Sequence, residues 1–229
     1  MELKTYTLGV HAHNPGNVGC VNEIASQLAG EKWTDRPLCV DGSMRGLGLF
    51  YNDSYYSPID PATGLVPAFF DRQAAILESS RRLNADEFAQ ELPWLLVNTY
   101  SAEHEKERVR LLVEFVANAI RQQAGLPAIS ISSVADFVTV VDKAIPGMKD
   151  RLHPPRINLL TGSLLQLQDL RDCGFSLVVA HYAGNIVTAA FLLKTDDQRA
   201  LAQVYLRRMA ALTTPTDKAQ LTPLELVAQ

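Results

Sequence analysis

The sequence predicts an α+β fold: one mixed or antiparallel sheet built from N- and C-terminal strands and covered by central helices. Three observations carry that expectation. Apolar runs rich in β-branched and aromatic residues lie towards the two ends of the chain. The middle repeats apolar residues at helical spacing. Strands and helices are grouped rather than regularly alternating, which disfavours a β-α-β arrangement. With 229 residues and a hydrophobic fraction of 47%, the chain has enough apolar surface for one large core. The expected organisation is a single domain over residues 1–212, followed by a polar C-terminal arm over 213–229.

The elements follow in order. Leu3 to His13 reads as a strand ended by Asn14-Pro15-Gly16, and Asn17 caps a helix carrying Val18, Val21, Ile24, Ala25 and Leu28. Pro37 to Val40 and Leu47 to Tyr51 read as short strands separated by Asp41-Gly42-Ser43. A long irregular loop is expected from about Asn52 to Val66. Ala68 to Leu83 is the first central helix. Asn84 with Glu87 three residues later signals the start of a second, interrupted at Pro93. Ser101 opens the longest helix, whose buried stripe is Val109, Leu112, Val116, Ala119 and Ile120, with Gly125 and Pro127 as its stop. Ser133 opens another with Val134, Phe137, Val138 and Val141 on one face, ending at Pro146-Gly147. A short helix over Gly162 to Cys173 then precedes an expected hairpin, Phe175 to Tyr182 and Asn185 to Lys194, turning at Ala183-Gly184. Thr195 caps a last helix, with Asp196 and Asp197 in its first turn and Arg207 and Arg208 in its last, which suits the helix dipole.

Composition narrows the function classes. A net charge of −4 gives no global attraction to nucleic acid. No segment reaches the roughly 18 uninterrupted apolar residues of a membrane span. The start, Met1-Glu2-Leu3-Lys4-Thr5-Tyr6, lacks a basic region followed by an apolar run, so no secretory signal is expected. Cys20, Cys39 and Cys173 are widely spaced, which predicts reduced thiols and a cytoplasmic setting.

Five groups of residues are candidates for function. His11 and His13, two apart on an expected strand, would point to one face and share a metal ion, with Asp41, His153 or His181 as further ligands. Short histidine pairs of this kind occur at strand ends in metal-dependent hydrolases. Cys20 is expected in a first helical turn, where free N–H groups and the dipole favour a thiolate. The order Cys20, His181, then Asn185 or Asp196, with the cysteine opening a helix, resembles papain-like cysteine hydrolases in outline. That resemblance does not extend to the residues flanking the cysteine; it implies Cys20 as nucleophile, with His181 and Asn185 as its partners. Gly42 to Gly48, enclosing Arg45, has the glycines and arginine of a phosphate clamp but no complete phosphate-loop motif, and turn chemistry explains the glycines as well. Lys143, Lys149, Arg151, His153 and Arg156 form a basic loop suited to an acidic partner or a nucleic-acid backbone. Tyr51, Tyr55 and Tyr56, running on to Phe69 and Phe70, offer an aromatic interface. No catalytic motif is complete, and the sequence leaves any cofactor unknown. The leading expectation is therefore a non-enzymatic subunit or adaptor acting through other protein subunits. A hydrolase using Cys20 or His11 and His13, and a nucleic-acid-associated subunit using residues 143–156, are the alternatives.

Overall fold

The computed structural model describes residues 6–10, 18–56, 71–149, 152, 154–190, 192 and 194–213. Their organising element is the long helix α5 (Glu105–Gln123). The stripe expected from the sequence is buried, and so are Leu111, Val113, Phe115 and Ala117 on its other sides. A helix apolar around most of its circumference is stable only when other elements surround it. Glu105 and Glu107 in its first turn and Arg121 in its last complement the dipole. It ends with Gly125 at φ +67°, the Gly125 N–H donating to the Gln122 carbonyl (3.1 Å) and the Leu126 N–H to the Arg121 carbonyl (2.9 Å), a Schellman stop.

Around α5 pack α2 (Gly42–Asp53), α6 (Val134–Lys149), α8 (Leu177–Ala189) and α9 (Asp196–Ala210). An outer layer completes the bundle: α7 (Pro154–Asp169) lies on α8 and α6, and α1 (Val21–Leu28) on α4 (Glu87–Leu96). α3 (Arg72–Ala85) joins α4 and β1 (Thr7–Leu8). β1 pairs in parallel with β2 (Val18–Gly19), Thr7 opposite Val18 and Leu8 opposite Gly19.

The fold is therefore helical, and the expected sheet joining the two ends of the chain is overturned. Among the described residues there are nine helices, and the only sheet is this pair of two-residue strands, both N-terminal. The expected C-terminal hairpin is α8. Its Val, Ile and Thr residues favour strands locally, but Val179, Ala180, Ala183, Ile186, Val187 and Ala190 are buried at helical spacing. Packing on α5 and α7 overrides the propensity. Gly184 makes no turn: a Cβ there would lie 3.3 Å from the Phe50 ring, so it lets α2 approach α8.

The expected strand Leu47 to Tyr51 is likewise helical. Asp41 caps α2, its carboxylate accepting from the N–H groups of Ser43 (2.9 Å) and Met44 (3.3 Å). Met44, Leu47, Gly48 and Tyr51 then form one buried face. Pro37 to Val40 is a loop. Of the expected first strand, residues 6–10 are described; besides the pairing with β2, Asn84 accepts from the Leu8 N–H (2.9 Å) and donates to the Leu8 carbonyl (2.6 Å). Asn84 lies inside α3, and Asp86 caps α4 in its place. α6 runs through Pro146 instead of stopping there. The last helix is as expected, with Thr195 and Gln198 forming a capping box. Residues 214–229, most of the expected arm, lie outside the described residues.

Candidate functional site

The first turns of α2 form one wall of a cleft of about 400 Å³. Gly42, Ser43, Arg45 and Gly46 come from α2, Asn22 from α1, and His181 and Asn185 from α8. Asp35 and Arg36 in the preceding loop also line it. The floor is polar and incompletely bonded. Asn22 donates from Nδ2 to the Arg45 carbonyl (3.3 Å), while its Oδ1 is buried with no hydrogen-bond partner among the described residues. The Ser43 hydroxyl is buried and unpartnered in the same way. Buried polar groups in native proteins are nearly always paired, so two orphans lining one cleft call for an explanation. Arg36 and Arg45 form no ion pair among the described residues.

Behind this wall Arg108 of α5 is fully buried. Its Nη2 donates to the Thr213 hydroxyl (2.7 Å), its Nε to the Met209 carbonyl (3.3 Å), and its Nη1 lies 3.6 Å from Asp41 Oδ2. Burial pushes the Asp41 carboxyl up, against the opposing pull of Arg108 and of the Ser43 and Met44 N–H groups. With the Met209 bond, the pair ties α2, α5 and α9 together.

A second feature stands close by in the chain. Leu38 is 83% exposed and Tyr100 is 63% exposed, yet the backbone beneath them is tightly held. Glu31 accepts from the N–H groups of Leu38 and Cys39, both at 2.8 Å. The Tyr100 N–H donates to the Cys39 carbonyl (2.9 Å) and the Asp41 N–H to the Thr99 hydroxyl oxygen (3.1 Å). Asn98, at φ +56°, makes the left-handed bend that brings the second loop round.

The residues singled out from sequence are distributed as follows. Cys20 is buried at the N-cap of α1 and is not among the residues lining the cleft. Burial pushes its thiol up to about 12, with the Glu23 carboxylate also acting against ionisation, so it is a protonated thiol at neutral pH. The sequence put Cys20 inside the first turn; it stands instead one residue before it, as the N-cap, and its N–H donates to the Glu23 carboxylate (2.9 Å). His181 and Asn185 share one face of α8, Asn185 Nδ2 lying 3.5 Å from His181 Nε2, and both line the cleft. His11, His13 and His153 lie outside the described residues, and Asp41 is engaged with Arg108. Among the described residues no cluster of three or more His, Cys, Asp or Glu could hold a metal.

Tyr51 is fully buried, donating to Asp86 (2.5 Å) and accepting from Gln203 Nε2 (2.8 Å). Tyr55 also donates to Asp86 and lies beneath the Arg199 guanidinium, 4.8 Å from the ring centre. Its phenol is pushed up to about 12, first by burial and then by the Asp86 carboxylate. Tyr56 packs against the core, and its carbonyl accepts from Lys194 Nζ (2.9 Å). These rings brace α2 against α4 and α9; Phe69 and Phe70 lie outside the described residues. In the basic segment, Lys143 is exposed on α6, Lys149 ends that helix and Arg156 donates from α7 to the Thr188 carbonyl (2.6 Å). Arg151 lies outside the described residues.

Sequence reasoning passed over Asn22, Ser43, Leu38, Tyr100 and Arg108. A signal existed for Arg108 alone: it stands one turn before Leu112 and two before Phe115, on the buried face of the longest of the described helices. No protein-family model, no curated protein and no solved structure matches this chain. No helix among the described residues is long and apolar enough to cross a membrane.

Proposed function

We propose that the protein is a non-enzymatic subunit or adaptor of a cytoplasmic assembly, and that it engages a partner protein through Leu38 and Tyr100. The observation that carries the reading is the contrast at this double loop: a backbone fixed by hydrogen bonds beneath two large side chains left in solvent. Ordering a loop on binding costs free energy, and a loop already ordered avoids that cost. Tyrosine is enriched at interface hot spots, and an adjacent aliphatic side chain fills a partner's apolar pocket. The three free cysteines fit a reducing compartment.

The test is affinity capture from native extract, with light scattering of the purified chain, for the natural sequence and for Leu38→Asp, Tyr100→Asp and Leu165→Asp. Leu165 is a solvent-facing leucine on α7. A partner, or a second copy of the chain, that is lost with the first two substitutions and kept with the third supports the reading. A monomer recovering nothing, or equal losses with all three, contradicts it.

A further inference from the structure

The loop reading leaves the cleft beside α2 without a role, and its chemistry specifies an occupant. A donor pair, Arg36 and Arg45, lines it without an ion-pair partner among the described residues. Two acceptors, Asn22 Oδ1 and the Ser43 hydroxyl, are buried at its floor with nothing bonded to them. Both side chains are more than nine-tenths buried, at 0% and 1% exposure. Gly46 leaves open space on the cleft wall, since a Cβ there would meet no atom within 4 Å. The α2 N–H groups do not supply the recognition: Asp41 occupies those of Ser43 and Met44, and its charge is met from behind by Arg108. Anion recognition therefore falls to the two guanidinium groups, which bind phosphate or carboxylate through paired N–H donors. Asp35 is the carboxylate among the lining residues, and it is an acceptor for hydroxyl groups of an occupant.

We propose that this cleft binds a small hydroxylated anion, a phosphorylated or carboxylated polyol, whose charged end lies on Arg36 and Arg45 and whose hydroxyls reach Asn22, Ser43 and Asp35. The volume of about 400 Å³ is within the range of small-molecule sites. The orphan polar atoms are then explained: they are paired when the occupant is bound. The inference is independent of the partner reading, which uses Leu38 and Tyr100.

The test is calorimetric titration of the full chain with glycerol 3-phosphate, glycerol 2-phosphate, glycerate, inorganic phosphate and glycerol. At least one hydroxylated anion is expected to bind more tightly than phosphate, with glycerol not binding. Arg45→Gln and the exposed-site variant Arg36→Gln are expected to weaken that anion by about tenfold or more each. Ser43→Ala is expected to weaken the hydroxylated anion several-fold while leaving phosphate unchanged. Leu38→Asp is expected to abolish partner capture and leave the titration as it was, which separates failure of one proposal from failure of the other. Binding by none of the anions, glycerol binding as well as they do, or an affinity unmoved by both arginine substitutions overturns the inference.

Discussion

Replacing Arg108 with methionine is the most informative perturbation of the scaffold. Arg108 is fully buried and Asp41 is 2% exposed, so the substitution leaves a carboxylate in the core without its countercharge. Removing one member of a buried pair typically costs about 3–5 kcal/mol, mostly the desolvation of the charge left behind. The bonds to Thr213 and the Met209 carbonyl are lost as well, so the upper half of that range is expected. Asp41→Asn keeps a good helix cap but strands the guanidinium, and its cost belongs to the same range. The double variant buries neither charge and is expected to lie well short of the sum of the single losses, with a coupling energy of about 1–3 kcal/mol. Acid has a signed effect. Burial already raises the Asp41 carboxyl, and loss of Arg108 raises it further. A folded-state value above the unfolded one, about 3.9, means that protonation favours the folded chain, so stability falls as pH rises through that window. The penalty of Arg108→Met is therefore expected to shrink on acidification towards pH ~4, reading the variant against the natural sequence at each pH. Urea unfolding followed by circular dichroism measures all three variants. A loss below about 1 kcal/mol for Arg108→Met, or strict additivity in the double variant, refutes the reasoning.

Other expectations follow from the same geometry. Burial raises the Glu114 carboxyl, but the Ile131 N–H, Arg110, Tyr205 and Arg208 outweigh it, and the net shift is downward. Its contribution is thus present above the unfolded value of about 4.3 and is lost as pH falls through the lower folded one, so Glu114→Gln is expected to cost roughly 1.5–3 kcal/mol at neutral pH and to flatten the acid limb of an unfolding titration. A limb of unchanged steepness contradicts this. Thiol alkylation of the folded chain is expected to modify exposed Cys173 first, Cys39 more slowly because burial pushes its thiol up to about 11, and Cys20 only on unfolding. Peptide mapping over time reads the order, and early labelling of Cys20 would restore it as a nucleophile.

Helical periodicity was legible where charged residues mark a helix's ends or separate its apolar positions. The Thr195 cap with its flanking charges, the stripe of α5 and the face Val134, Phe137, Val138 and Val141 were all readable in this way. Reading failed where those marks are missing. In α8, a run of Val, Ile, Thr and Ala buried against three neighbours carries strand propensity and few polar residues to mark a solvent face. In α2, Gly48, which admits Leu96, looks like a turn residue until its neighbours are known. The candidate site was less legible still. Arg45 and the Gly42 to Gly48 segment were visible, as were His181 and Asn185, but nothing in the local sequence joins them to Asn22. The Leu38 and Tyr100 loop depends on bonds to Glu31 and Thr99 and on the left-handed bend at Asn98, which only the fold brings together.

Site-specific photo-crosslinking in living cells tests the partner reading most directly. A photoreactive residue at position 38 or 100 is expected to yield one discrete adduct of higher mass, while the same residue at position 165 yields none. No adduct from either loop position, or the same products from all three, would contradict a recognition surface centred on Leu38 and Tyr100.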